Sequence, residues 1–307
     1  MNQRGGMSCF PISNHIFKEC AYIINLKKRT DKRKLMEYKL NTMNLTNYRF
    51  FDAVNGEDSM YDDIYEIVES KGKYTSKGAF GLLVTYINLL EDAYKHDYER
   101  ILILEDDVNF HNKYFDLVVK YSNIINDSRY DIIWLGANQR VFSKKQLDSI
   151  SSQFIYLPEP KNNNYTYGTF SILLNRSGIV KMLKIVNNHN IIALKPIDII
   201  INDMMRSDIL QGVVCYPYLF MPDVSDSDNM GPRNQNRFSI SRRFVSNNYN
   251  YVSQQDITIL HKFCKNINGS VCINFNKIMT DKNTLNAYNH VINFLSNPCD
   301  LIYILTF

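Results

Sequence analysis

No stretch of this sequence approaches the roughly 18 consecutive apolar residues that a membrane-spanning helix requires. The opening MNQRGGMSCFPISNHIFKEC lacks the apolar core of a secretory signal. A soluble, cytoplasmic chain is therefore expected, with residues 1–20 as a leader. Cysteine is sparse and scattered. Cys9, Cys20, Cys215, Cys264, Cys272 and Cys299 form no C-x-x-C pair and stand beside no histidine at zinc-finger spacing, which argues against a structural zinc site. Reduced, mostly buried thiols are expected, with a disulfide among the C-terminal cysteines as the alternative. Neither sign of charge dominates: a net charge of +4 is too small to argue for nucleic acid as a partner. Internal repeats are absent. N-x-[ST] triplets at Asn44, Asn126, Asn164, Asn175 and Asn268 are attributed to the high asparagine content, since without secretion they would not be used.

What is present is a globular composition, 45% hydrophobic and 13% aromatic over 307 residues, enough for a substantial core. AYIINL (21–26) reads as a buried strand and runs into KKRTDKRK (27–34), from which a helix starts with Thr30 as its cap. YRFFDAV (48–54) is a second strand, followed by a polar stretch to about Lys77. GAFGLLVTYINLLEDAYK (78–95) places apolar residues at 80, 83, 84, 87, 90 and 94, the spacing of an amphipathic helix. Strands follow at 101–104, 130–136 and 169–175, then a helix near Ser177. KPIDIIINDMMRSDIL (195–210) predicts a helix with Pro196 at its first position. After the extended run 212–222 comes a turn-rich segment and, beyond 245, an Asn- and Tyr-rich helical extension. Strands alternating with helices predict an α/β sandwich on a mostly parallel central sheet.

The chemistry concentrates in ILILEDDV (101–108), where four apolar residues lead into Glu105, Asp106 and Asp107. Three adjacent carboxylates repel one another. Such a cluster is either a solvated strand end or a site for a hard cation such as Mn²⁺ or Mg²⁺, and ligands in open α/β sheets bind beyond the carboxyl ends of strands. Strand alternation sends Glu105 and Asp107 to one side and Asp106 to the other. KKRTDKRK, at another strand end, offers a phosphate backbone N–H groups, a helix dipole and cations, or is simply a solvated helix start.

Taken in order, INLKKRTDKR (24–33), FFDAVNG (50–56), SKGAFGLLVTYINLLEDAYKHDYERILILEDDV (76–108), YDIIWLG, YGTFSILLNRSG and KPIDIII resemble glycosyltransferase family 25 over about residues 21–240. That resemblance implies a GT-A-type nucleotide-sugar-binding fold over 21–244, a UDP-sugar donor, Mn²⁺ dependence and inversion. It implies Glu105 and Asp107 as metal and nucleotide ligands and Asn25, Arg29 and Arg33 at the nucleotide; Asp106, facing the other way, either binds the donor or anchors the turn. SDSD (225–228) is similar to a late Ser-Asp motif of the family, with Asp226 or Asp228 as a further metal or sugar contact. One departure is Thr85-Tyr86, where family members commonly carry Ser-His.

An inverting transfer needs a base for the acceptor hydroxyl. Asp198 in KPID is the candidate, with Asp226 and Asp228 as alternatives; an acid there also suits a helix start. Arg233, Arg237, Arg242 and Arg243 lie on a segment that either closes over the diphosphate or is a solvated loop. Trp134, the only tryptophan, either stacks on a sugar or fills the core. The expected activity is metal-assisted transfer of a hexose, galactose or glucose, to a glycan, lipid-linked glycan or hydroxylysine-type acceptor. The rivals are a degenerate sugar- or nucleotide-binding scaffold and a phosphate- or nucleotidyl-transferring enzyme. The 245–307 tail is a packing element or a homodimer contact.

Overall fold

The computed structural model describes residues 20–72, 76–188, 195–267, 270–295, 297–298 and 300–305. Residues 1–19 of the leader, Cys9, Asn268 and Cys299 lie outside the described residues. The apolar run at the start forms strand β1 (Cys20–Leu26), then helix α1 (Thr30–Thr42) and β2 (Tyr48–Ala53). Thr30 is the first helical residue and not the cap. Arg29 holds the cap position and makes no side-chain capping bond, because a guanidinium has donors only and cannot accept from a backbone N–H. The stretch read as polar contains α2 (Asp62–Ser70), which buries only Tyr65 and Val68, too few apolar anchors to give a periodic signal. The amphipathic helix is α3 (Lys77–Lys95), capped by Ser76, whose Oγ accepts from the Ala79 N–H at 3.1 Å.

Next come β3 (Arg100–Glu105), β4 (Val108–Phe110), α4 (Tyr114–Lys120), α5 (Ser122–Ile125), β5 (Ile132–Trp134) and β6 (Asn138–Gln139). They are followed by α6 (Lys144–Gln153), β7 (Ile155–Tyr156), β8 (Thr166–Tyr167), β9 (Ser171–Asn175), α7 (Arg176–Asn188) and α8 (Ile197–Arg206). Pro196 is the N-cap of α8, one position earlier than expected. The extended run divides into β10 (Gly212–Cys215) and β11 (Phe220–Pro222), and α9 (Gln235–Ser241) closes this part.

A seven-stranded sheet ordered β2-β1-β3-β9-β5-β10-β7 forms the centre. β1 runs parallel to β2 and β3, and β5 to β10, while β9 and β7 run antiparallel to their neighbours. Five of the seven strands thus share one direction, the mixed but mostly parallel α/β arrangement expected of a GT-A-like fold. Ile101, Leu102, Ile103 and Leu104 are fully buried, as a central strand covered on both faces requires.

Residues beyond 245 form α10 (Gln254–His261), hairpin β12 (Cys264–Ile267)–β13 (Ser270–Ile273), α11 (Phe275–Thr280), α12 (Lys282–Phe294) and α13 (Asp300–Leu305). The expected helical extension therefore includes a hairpin. Val252, Ile257, Leu260, Val291 and Leu301 build a second core against Leu35 and Tyr38 of α1, on the side of that helix away from the sheet. The four described cysteines, Cys20, Cys215, Cys264 and Cys272, are free thiols. No described helix is long and apolar enough to cross a membrane.

Two glycines set the distance between α3 and the end of β2. A Cβ on Gly81 would stand 2.6 Å from the Val54 carbonyl oxygen and 2.7 Å from the Gly56 nitrogen, both backbone atoms that cannot rotate away. The helix thereby lies directly on the Val54–Gly56 turn, which forms a wall of the site. Gly81→Ala must push the two apart; a loss of about 1–3 kcal/mol is expected, read as a lower urea midpoint at unchanged slope.

Candidate active site

β1 and β3 lie side by side in register, Ile24 opposite Glu105, so their carboxyl ends open at one edge of the sheet. β3 stops at Glu105, and Asp106 and Asp107 form the turn into β4. Asn25, at the end of β1, donates from Nδ2 to Asp106 Oδ2 at 2.7 Å and to the Arg29 carbonyl at 3.1 Å. Asp106 is thus turned towards Asn25 and Lys32. Asp107 is held through its backbone, its carbonyl accepting from the Asp223 N–H at 2.8 Å, while its buried Oδ1 has no partner among the described residues.

Two cavities meet at the acids. The first, about 130 Å³, is bounded by Lys28, Lys32, the Val54–Glu57 turn, Thr85, all three acids and Asp228. The second, about 400 Å³, reaches Asp198, Arg140, Arg233 and Arg242, and touches Glu105 and Asp107 but not Asp106. The expected alternation therefore holds for the second cavity only, because Asp106 and Asp107 belong to a turn and not to the strand.

Helix α1 supplies countercharge from below. Lys32 Nζ donates to Asp228 Oδ2 at 2.9 Å and lies 3.8 Å from Asp106 Oδ1. One helical repeat deeper, Lys39 is buried and donates from Nζ to the Val108 carbonyl at 3.0 Å. Burial works against the Lys32 ammonium, but Asp106, Asp107 and Asp228 outweigh it and hold its pKa above the usual range. For Lys39 burial wins over Asp223, Asp107 and Asp106, and its pKa falls to about 8. Burial, then the mutual repulsion of the carboxylates, pushes Glu105 up to about 8. Asp107 rises to about 7, again through burial first, with Lys32 opposing, and burial likewise raises Asp106. Among the described residues no three His, Cys, Asp or Glu side chains converge as a ready-made metal shell. The donor set nevertheless suits a hard cation: Glu105 and Asp107 face both cavities, and one Asp107 oxygen lacks any partner.

Several expected site residues act elsewhere. Arg29 lines neither cavity. It gathers Asp31 (2.8 Å), Asp226 (2.6 Å) and Asp228 (2.6 Å), and so ties the 223–230 segment to the start of α1. Asp226 and Asp228 are ion-paired with Arg29, and Asp228 also with Lys32; Asp228 shares the wall of the first cavity with the three acids, while Asp226 lines neither cavity. Arg33 is turned outward, its Nε donating to Glu37 Oε1 at 3.1 Å and its guanidinium lying over Phe50. The reason is helical geometry: 32, 36 and 39 share the buried face of α1, and 33 is rotated off it. That spacing, with Met36 between two lysines, was the signal for Lys32 and Lys39.

Asp198 lies in the first turn of α8 on the wall of the second cavity; its Oδ1 accepts from the Ile199 N–H at 2.9 Å, and burial raises its pKa. Arg233 stands at the rim of the same cavity. Arg237, exposed on α9, does not line it. Trp134 is a core residue, 1% exposed, with Nε1 donating to the Gly168 carbonyl at 3.1 Å. At the departure from the family pattern, Thr85 Oγ1 donates to the Gly81 carbonyl and accepts from the Val54 N–H, both at 2.8 Å. Tyr86 is fully buried and donates to the Thr169 carbonyl at 2.8 Å. The pair braces the site's walls.

Residues 19–201 match the family model described as glycosyltransferase family 25 (LPS biosynthesis protein). Asp226, Asp228 and Arg233 fall beyond that stretch. A mimivirus protein (Acanthamoeba polyphaga mimivirus) provisionally named a glycosyltransferase is 32% identical over 114 residues, 36% of this chain and 35% of that one. Glycosyltransferase 25 family members of Aedes aegypti and Drosophila melanogaster are 25% and 23% identical over 53% and 61% of this chain. The chain spans 35%, 27% and 30% of the lengths of these three relatives.

Carboxyl pKa values raised by folding mean that the folded chain keeps protons the unfolded chain has released. Stability is then greatest at acidic pH and is lost as pH climbs from about 4 towards 8. In metal-free buffer the urea midpoint should fall between pH 5 and pH 8, and Glu105→Gln should flatten that slope; a rising midpoint would contradict the assignment. Lys32→Met removes the buried ammonium that faces Asp106 and Asp228, leaving Asp106 with Asn25 and Asp228 with Arg29, and should cost about 3–5 kcal/mol, measured in the same titration.

Proposed function

Because this chain belongs to glycosyltransferase family 25, we propose that it transfers a hexose, galactose or glucose, from a UDP-sugar to a hydroxyl of a glycan or protein acceptor, with inversion and with the help of a divalent cation. The observation that carries this reading is the sharing of Glu105 and Asp107 by two cavities, one flanked by lysines and the other by Asp198.

In this reading the UDP occupies the first cavity. Lys28 and Lys32 face its phosphates, and the Val54–Glu57 turn with Leu82 encloses the nucleoside. Glu105 and Asp107 would hold Mn²⁺ or Mg²⁺, which neutralises the charge that develops on the departing diphosphate. Displacing protons from Glu105 and Asp107 links cation binding to pH, so affinity rises as pH increases through about 7–8. The sugar projects past the two acids into the second cavity, where the acceptor hydroxyl enters from the side of Asp198. Asp198 accepts the hydroxyl proton as the oxygen bonds to the anomeric carbon and the bond to phosphate breaks, with the electron pair leaving on UDP. Burial makes the Asp198 carboxylate a stronger base than a solvated one. Attack and departure on opposite faces of the sugar give inversion.

The test is a hydrolysis and transfer screen of UDP-, GDP- and CMP-sugars with and without Mn²⁺. Turnover of a UDP-hexose that depends on the cation is expected. Asp107→Asn should abolish it with the fold intact. Asp198→Asn should lower kcat about 10²–10⁴-fold with donor affinity little changed. Absence of any donor turnover, or wild-type rates in Asp107→Asn, would overturn the reading.

A further inference from the structure

The second cavity carries more positive charge than a neutral sugar needs. Arg140, Arg233 and Arg242 all line it. Arg140 stacks over Tyr167, 4.7 Å from guanidinium carbon to ring centre, and Arg233 and Arg242 lie against Phe238 at 5.2 and 5.6 Å. Among the described residues none of the three makes an ion pair or a side-chain hydrogen bond, and Arg242 Nε is buried without a partner. Several other arginines are ion-paired: Arg29 holds three carboxylates, Arg49 pairs with Asp92, Arg129 with Asp127 and Arg176 with Asp97.

Guanidinium groups stay charged at any working pH, so this grouping is self-repelling. Burial and the like charges of Arg140 and Arg233 all act against Arg242. Arg233 is offset by Asp107 and Glu105, whose field reaches it, and Asp198 feels the charge of Arg140. Arg242 has no such offset apart from Tyr167. Asn138, on the same wall, has its side-chain oxygen buried and unpartnered as well.

Resting on the glycosyltransferase reading above, we infer that Arg140 and Arg242 select an acceptor glycan bearing a carboxylate or phosphate near the reacting hydroxyl. The planar fork of arginine matches both anions through paired hydrogen bonds. Asn138 accepts from a neighbouring sugar hydroxyl. The phosphates of UDP are not the anion in question, since they belong with Lys28 and Lys32 in the first cavity.

The experiment presents the full chain, loaded with UDP and Mn²⁺, to matched oligosaccharide pairs: a hexose against its uronic acid, and a free against a phosphorylated sugar. At least one acidic member should bind about tenfold more tightly than its neutral mate. The uronic-acid and phosphate arms show which anion is recognised. Arg242→Gln and Arg140→Gln should each shrink that preference to within about twofold, with UDP affinity unchanged. Arg140 is exposed at the rim, so its variant tests the inference even if Arg242→Gln folds poorly. Equal binding of acidic and neutral members, no glycan binding alongside normal UDP binding, or loss of UDP affinity in the arginine variants would overturn the inference alone. A wild-type chain that fails to bind UDP would take the parent reading down with it.

Discussion

Everything at this site follows from placing three carboxylates at the end of a strand that is buried along its length. Ile101–Leu104 are excluded from water, so Glu105, Asp106 and Asp107 emerge at a sheet edge where water is scarce and each raises the cost of ionising the others. A chain can tolerate that only by neutralising the acids with protons, with its own cations or with a bound one. This protein uses the first two in the state described: raised carboxyl pKa values, and the ammonium groups of Lys32 and Lys39 beneath. The partnerless oxygen of Asp107 is what remains unmet.

The same constraint organises the neighbouring elements. α1 is amphipathic in an unusual sense. One side carries Leu35 and Tyr38 into the second core, and the other carries Lys32, Met36 and Lys39 towards the acids. Arg29 then recruits Asp31, Asp226 and Asp228, so the segment after β11 is fastened to the start of α1 rather than left as a free loop. Gln254, at the start of α10, donates from Nε2 to Asp31 at 2.9 Å and from its backbone N–H to Asp223 at 2.7 Å, which links the C-terminal part to the same charge network. Residues far apart in the chain are thereby coupled through a handful of ionic contacts.

Much of this was legible in the primary structure and some was not. The strand–helix alternation, the long helix over 78–95 and the placing of acids and cations at strand ends were all visible, because hydrophobic period is a local property. The basic run does not say which of its cations turns to the acids. The resemblance points to Arg29 and Arg33, whereas the rotation of α1 against the sheet brings Lys32 to the acids and turns Arg33 to Glu37. For Asp226 and Asp228 the order of residues shows only that two acids are present, with no sign of what they pair with. In three dimensions Arg29 reaches them from nearly two hundred positions away. α2, with two buried anchors, gave too weak a pattern to be found.

The sequence by itself determined the class of fold, the family and the position of the acid cluster, since these depend on ordered motifs and on apolar periodicity. Only the tertiary structure decided which cations face those acids, that Glu105 and Asp107 line two cavities at once, and that three arginines converge with no carboxylate partner among the described residues. Charge–charge energies depend on distance and burial, and neither is written in the order of the residues.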